Sequence, residues 1–184
     1  LAATQRLIRT VDTLERDAFT APSILPDWSR ADVVAHLTLN AEGLAGVLRG
    51  VAEGREVAMY SSQEARNDDI AALAKLDPTA LRDRFLASTT TFREAVVAVP
   101  AGGWLGDFAR VQGGPAFNPL VRIPWLRLSE VEIHHADLDA RYGPEDWPAS
   151  FVEQMLGLVV SDRSSERPVI LRTPDGDIAV GTGD

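Results

Sequence analysis

The chain contains no cysteine. That absence excludes disulfides and every zinc site built on thiolates, and it leaves the protein without a thiol nucleophile of its own. Basic residues are also scarce: 18 against 27 acidic ones, a net charge of −9. This balance argues against nucleic acid as a partner, because such binding needs a basic footprint. No apolar run approaches the roughly 20 residues needed to span a bilayer, so no membrane segment is expected. The opening Leu1-Ala-Ala-Thr-Gln-Arg6 lacks the basic-then-apolar order of a signal peptide, and a cytoplasmic protein is expected. There is no internal repeat, no Gly-rich phosphate loop, and no GxSxG or HExxH motif. What remains is ordinary globular composition over 184 residues, 45% apolar and 24% charged. That suffices for one full domain with the beginning of a second.

Helical periodicity runs through Leu7, Ile8, Val11 and Leu14, predicting a helix over 4–18. The stretch Ala21-Pro-Ser-Ile-Leu-Pro26 breaks it, since proline removes a donor and restrains the residue before it. Ser29 is placed to cap a second helix reaching about Val51, with Asp32 standing in for the capping-box glutamate. Residues 54–62 read as a loop. Ser61-Ser-Gln-Glu64 reads as a capping box for a shorter helix over 62–74. Asp77-Pro78 opens another that continues to about Val97. Residues 101–119, rich in glycine and proline, form a long irregular connection of a kind that is often functional. A further helix over about 120–141 completes a mainly α fold, a four-helix bundle.

The character changes at Gly143-Pro144. Asp146-Trp-Pro-Ala opens a helix to about Val160, and the polar run Ser161 to Arg167 reads as a linker. Segments 168–172 and 178–180 flank Thr173-Pro-Asp-Gly-Asp177 as a β-hairpin. A lone hairpin is marginal in water. Residues 1–142 are therefore expected to form the bundle, and 143–184 the start of a small α/β domain.

The most informative residues are Glu130 and His134. A spacing of i, i+4 stacks a carboxylate and an imidazole on one helical face, with Cβ atoms about 6 Å apart. That face also carries Leu126, Ile133 and Leu138, so it should turn inward. A buried glutamate and histidine each need a strong partner to offset desolvation. His36, in another helical segment, is the third candidate. The three propose a His/Glu/His site with one coordination position open, the layout of catalytic rather than structural zinc, one ion per chain. The bland readings are a satisfied helical histidine for His36 and an ordinary i, i+4 contact for the pair. His135 points about 100° away from His134 and is expected on the rim, with Glu132 on the same outer surface. A trio using Glu132 and His135 would leave Glu130 buried without a partner.

Asp137, one turn after His134, either orients that imidazole or is a helix-end charge, and the first is preferred. Arg66 is either a solvated surface arginine or a bidentate clamp for a carboxylate, and spacing does not choose between them. Trp28, Trp104 and Trp125 are expected to anchor the core or the bundle ends.

Three segments carry a family resemblance: Leu25-Pro-Asp-Trp-Ser-Arg-Ala-Asp-Val-Val-Ala-His36-Leu, Met59-Tyr-Ser-Ser-Gln-Glu-Ala-Arg66-Asn, and Trp125-Leu-Arg-Leu-Ser-Glu130-Val-Glu-Ile-His134-His-Ala-Asp137-Leu. In this order they resemble the mycothiol-dependent maleylpyruvate isomerase family, over most of residues 1–142. The first and third are shared with the wider family and speak for fold and metal site. The second is narrower and favours the isomerase over thiol-transferase relatives. The resemblance implies a DinB-like four-helix bundle, zinc held by His36, Glu130 and His134, and Arg66 in the active site. The family's second domain supplies a further arginine from a region beyond Asp184, so the substrate is less firmly implied than the zinc.

It further implies mycothiol as a cofactor and a small-molecule substrate, in a monomer or weak dimer. A metal deprotonates a coordinating thiol, which gives a cysteine-free protein its nucleophile. The implied reaction is cis–trans isomerisation of maleylpyruvate to fumarylpyruvate by reversible thiolate addition. The alternatives are a mycothiol S-transferase acting on electrophiles and a non-catalytic zinc-binding bundle.

Overall fold

The computed structural model describes residues 1–162, 169–173 and 176–180. They fall into two units, Leu1–Pro144 and Glu145–Asp184. The fold is mainly helical, as the periodicity predicts. In the first unit α1 (Ala2–Thr13), α2 (Arg30–Ala52), α3 (Gln63–Leu73), α4 (Pro78–Ala98) and α5 (Ile123–Asp137) follow in order. Helices α1, α2, α4 and α5 make the bundle, and α3 lies on the α2–α4 connection. The hub is α2: it packs most extensively on α4 and also meets α3 and α5, while α1 covers α5 and α4. A helix apolar nearly all round belongs at such a centre.

Helix starts follow the expected chemistry. Ser29 Oγ accepts from Asp32 N while the Asp32 carboxylate accepts from Ser29 N at 2.9 Å, a reciprocal capping box. Asp77 caps α4, with Pro78 in its first turn. At α3 the cap is Ser62, which accepts from Ala65 N, so that helix begins one residue later than the Ser61–Glu64 pairing predicts.

Two helix ends and one connection correct the sequence reading. The first helix stops at Thr13 instead of 18, where Leu14 turns extended and a 3₁₀ turn, Arg16–Thr20, follows. The Thr10 and Thr13 hydroxyls bond to backbone carbonyls of the last turns, an alternative to continued helix. Arg82 Nη2 meets the freed Leu14 carbonyl at 2.7 Å. Helix α5 ends at Asp137 instead of 141, because Asp139 and Arg141 adopt left-handed backbone at φ 51° and 62°. Arg30 then donates to the Leu138 and Asp139 carbonyls at 2.7 and 2.6 Å.

Residues 101–119 are ordered, not irregular. After a 3₁₀ turn, Ala101–Trp104, strands β1 (Asp107–Ala109) and β2 (Ala116–Pro119) pair antiparallel. The hairpin docks on residues 59–60: Met59 N donates to Ala109 O, Tyr60 N to Arg110 O, and Gln112 N to Tyr60 O. Strands of three and four residues flanked by glycine and proline carry too little alternation to show in the sequence.

Buried apolar residues gather in two clusters. One holds Leu7, Val11, Phe19, Val34, Leu37, Leu81, Phe85, Val131 and Leu138. The other holds Leu44, Val47, Leu48, Ala95, Phe108, Leu120 and Ile123. On α2 the first cluster ends at Leu37 and the second begins at Leu44; on α5 Ile123 belongs to one and Val131 to the other. The gap holds Asn40 on α2 and Arg127 and Glu130 on α5, and the site is completed by His36 and His134 on the first cluster's side of it. Trp28 and Trp104 pack against the two clusters as partly buried anchors.

In the second unit α6 (Ala149–Asp162) continues through Ser161 and Asp162, so the first two residues of the expected linker are helical. Residues 163–168 lie outside the described residues. Strands β3 (Val169–Thr173) and β4 (Gly176–Val180) pair antiparallel from Val169 with Val180 to Thr173 with Gly176. Pro174 and Asp175 of the expected turn lie outside the described residues. Among the described residues no helix is long and apolar enough to cross a membrane.

The α2 cap has a measurable consequence. Ser29→Ala removes the acceptor for Asp32 N and should lower stability by about 1 kcal/mol in urea unfolding. An unchanged midpoint would mean that solvent satisfies the first turn equally well.

Candidate metal centre

Helix α2 supplies His36 and α5 supplies Glu130 and His134. Their ligand-competent atoms all lie within 4.8 Å of one another. Glu130 Oε2 is 2.8 Å from His36 Nε2 and 3.3 Å from His134 Nε2, and the two imidazoles are perpendicular with centroids 4.6 Å apart. The His36 side chain is 4% exposed, against 24% for Glu130 and 20% for His134, so the accessible side of the group is formed by the two α5 residues.

Each imidazole has a second partner. His134 Nδ1 lies 2.7 Å from Asp137 Oδ2, where its N–H donates to the carboxylate. This leaves Nε2 turned toward Glu130 and settles the two readings of Asp137 in favour of an orienting contact. His36 Nδ1 lies 3.1 Å from Arg66 Nη2 and accepts from the guanidinium, while Nε2–H donates to Glu130. Trp28 stands edge-on to the His36 ring at 5.8 Å.

The local electrostatics follow from burial against hydrogen bonding. Burial holds His36 below its ordinary pKa, against the opposing pull of Glu130, and so favours the neutral imidazole. Burial alone would raise Glu130, but the hydrogen bonds from His134 and His36 together outweigh it and keep the carboxyl well below the usual range. At His134 burial works downward, yet Glu130 and Asp137 carry the balance upward. The group is thus an anion between two imidazoles. Two imidazole nitrogens and one carboxylate oxygen form a donor set suited to zinc with an open position.

Arg66 is no solvated surface residue. Besides touching His36 it donates to Asn67 Oδ1 at 3.1 Å, and its guanidinium lies over the Tyr60 ring at 5.7 Å. Both Tyr60 and Arg66 wall a cavity of about 330 Å³. Burial pushes the Tyr60 hydroxyl up from its ordinary pKa, with Arg66 opposing.

Sequence reasoning missed Arg127, which is 4% exposed. Its Nη1 donates to the Leu37 carbonyl at 2.9 Å and to Asn40 Oδ1 at 2.8 Å, tying α5 to α2 between His36 and the second apolar cluster. Complete burial pushes its pKa down to about 10, with Glu130 the leading charge that opposes the fall. The guanidinium therefore stays charged at neutral pH. The signal was in the spacing: Arg127 stands four residues after Ile123 and four before Val131, in the middle of the inward stripe.

Glu132 and His135 also require correction. Both are 1% exposed, not on the rim. Arg6 and Tyr142 donate to the two Glu132 oxygens, Thr10 Oγ1 lies 2.7 Å from His135 Nε2, and His135 stacks on Tyr142. Helix α1 covers this face of α5, so α5 is buried on more sides than a bundle helix with one apolar stripe.

The sequence profile of the mycothiol maleylpyruvate isomerase N-terminal domain family matches residues 1–139. The chain belongs to this family. A crystal structure of a mycothiol-dependent maleylpyruvate isomerase superposes with TM-score 0.88 and 26% identity, covering 98% of this chain and 75% of that one. A histidine-to-alanine mutant of a mycothiol-dependent maleylpyruvate isomerase gives TM-score 0.87 at 24% identity over the same shares. No curated protein sequence matches the chain. The family match spans the whole bundle and includes His36, Arg66, Glu130 and His134.

In this member of the isomerase family, Arg127→Met should expose how far the site depends on the clamp. The Leu37 carbonyl and the Asn40 amide lose a buried charged donor, and a loss of about 2–4 kcal/mol is expected in urea unfolding. Destabilisation under 1 kcal/mol would show that the two helices hold their positions without it.

Proposed function

We propose that the protein is a zinc-dependent cis–trans isomerase that converts maleylpyruvate to fumarylpyruvate with mycothiol as its external thiol. The observation that carries this reading is the convergence of His36, Glu130 and His134, with Arg66 against His36, in a chain that has no cysteine. Membership of the isomerase family supports it, as does the likeness to a solved mycothiol-dependent isomerase.

His36, Glu130 and His134 would hold one zinc ion. Bound there, the metal would lower the pKa of a coordinating thiol, making a nucleophile available at neutral pH. Isomerisation requires the substrate's cis double bond to become a rotatable single bond. Addition of a thiol across it forms a C–S bond, and elimination after rotation breaks that bond and returns the thiol.

The protein's own groups orient and balance charge. Asp137 holds the proton of His134 on Nδ1, so that Nε2 presents a lone pair. His36 needs the same tautomer to act through Nε2, and its Nδ1 then donates instead of accepting. Arg66 must in that state find another acceptor, and a substrate carboxylate answers its planar pair of N–H groups. From there the guanidinium also stabilises negative charge developing on the substrate during addition.

Zinc-loaded protein should turn over maleylpyruvate only with mycothiol present, and the thiol should be recovered undiminished; its stoichiometric loss would identify a transferase instead. His134→Ala should abolish both zinc binding and turnover. Full activity without any thiol would overturn the proposed nucleophile.

Arg66→Ala should keep its zinc and its fold while activity falls on the order of 100-fold, about 3 kcal/mol of transition-state stabilisation. Arg66→Lys should recover only part, since an ammonium cannot make the two-bond contact. Unchanged kinetics in the alanine variant would remove Arg66 from the mechanism.

A further inference from the structure

Residues 55–60 cross α2 over a glycine-lined face. At Gly50 an added Cβ would lie 2.6 Å from Val57 and 2.8 Å from the Arg55 carbonyl oxygen; at Gly43 it would lie 3.0 Å from the Met59 carbonyl oxygen. Close approach of the crossing backbone requires both glycines. Gly46 lies between them on the same face, and nothing stands within 4 Å of where its Cβ would be. Its backbone is ordinary α-helix within the 23-residue α2. Neither packing nor conformation therefore calls for glycine, although mid-helix glycine costs about 1 kcal/mol relative to alanine.

What Gly46 faces is the cavity of about 330 Å³ that Arg66 also walls, together with Glu42, Ser61 and Asp69. The Arg84 guanidinium holds Glu42 by two bonds of 2.9 Å, which fixes that carboxylate in place. With Glu42 paired to Arg84, the remaining charges of the lining are Asp69 and Arg66, so the cavity offers a dicarboxylate no excess of positive charge. The carboxylates of Glu42 and Asp69 are acceptors for neighbouring hydroxyl groups, and a bare helix backbone lets a saturated ring lie close.

We propose that this cavity seats the uncharged, hydroxyl-rich part of the thiol cofactor, with Gly46 as its floor. The inference rests on the reading of the protein as a mycothiol-dependent isomerase and deepens it. Mycothiol carries its cysteinyl thiol on a neutral glucosaminyl-inositol unit, which matches a pocket with acceptors and without a net demand for anions. Because Arg66 belongs both to the cavity wall and to the surroundings of His36, the thiol and the polyol can be held at one time from adjoining places.

The test is calorimetry on the full chain with three probes: mycothiol and N-acetylcysteine on zinc-loaded protein, and the cysteine-free, uncharged N-acetylglucosaminyl-inositol fragment on metal-free protein. Wild-type protein should bind mycothiol more tightly than N-acetylcysteine and should bind the fragment without metal. Gly46→Leu, which fills the cavity, should keep zinc stoichiometry and N-acetylcysteine affinity while losing on the order of tenfold or more for mycothiol and the fragment. Gly46→Ala should show the same pattern more weakly together with a raised melting temperature, and it serves if leucine disturbs the fold. A Gly46→Leu protein that binds mycothiol like wild type, or loses both thiols alike, would overturn the proposal. So would a wild-type protein with equal affinity for the two thiols, while the thiol reading stands. Wild-type protein that binds neither thiol would defeat the thiol reading, and fragment binding to metal-free protein then decides the cavity alone.

Discussion

A charged layer inside an apolar bundle governs this structure. Asn40 on α2 and Arg127 and Glu130 on α5 lie between the stretches of those helices that enter the two apolar clusters, and His36 adjoins them from the first cluster's side. An isolated buried charge is strongly unfavourable, so each member of the layer persists only because another answers it. Glu130 is answered by two imidazoles; Arg127 is held through Nη1 by a carbonyl and an amide, leaves its buried Nη2 without a hydrogen-bond partner, and sits in the field of Glu130. The geometry of the candidate metal site is thus inseparable from the packing of α2 on α5. A shift of either helix would leave a charge unanswered in the core, and this makes the layer a register pin as well as a ligand set.

The rest of the first unit is arranged around that pin. Helix α1 closes the far side of α5 through the Arg6–Glu132–Tyr142 contacts and the Thr10–His135 contact. Arg30 gathers the carbonyls at the end of α5 just past Asp137, the residue that orients His134. On the other side the β1–β2 hairpin fixes residues 59–60, which lead through the Ser62 cap into α3 and so to Arg66. The connections that read as loops are therefore the parts that deliver an arginine to the ring of His36.

Local chemistry made much of this legible in the sequence. The Ser29–Asp32 box, the Asp77-Pro78 start and the i, i+4 pairing of Glu130 with His134 depend on neighbours a few residues apart, and such patterns survive without knowledge of the fold. The failures share a different cause. The sequence places Glu132 and His135 on the rim because a helix with one apolar stripe has an opposite wet face, but α1 covers that face, and only tertiary packing reveals it. Arg127 interrupts an inward stripe, and its meaning depends on the Leu37 carbonyl, 90 residues away in sequence. The hairpin between Asp107 and Pro119 owes its order to pairing with residues 59–60 and to the burial of Phe108, and neither is a property of its own short strands.

The proposed reliance of a cysteine-free protein on an external thiol raises a recognition problem that an intrinsic nucleophile would avoid. Metal coordination identifies a sulfur but not the molecule that carries it, since any small thiol can reach an open position. Discrimination has to come from contacts remote from the sulfur, and remote contacts help only if they are fixed relative to the metal ligands. Helix α2 meets that condition: it bears His36 at one level and the glycine floor at Gly46 ten residues on, about 15 Å along a single rigid helix. Segment 55–60 crosses the same helix without filling that floor, because Gly43 and Gly50 admit its backbone closely at either end. In the proposed arrangement the helix that carries a candidate ligand would also set the distance at which a thiol's remaining groups are read, with Arg66 between the two places.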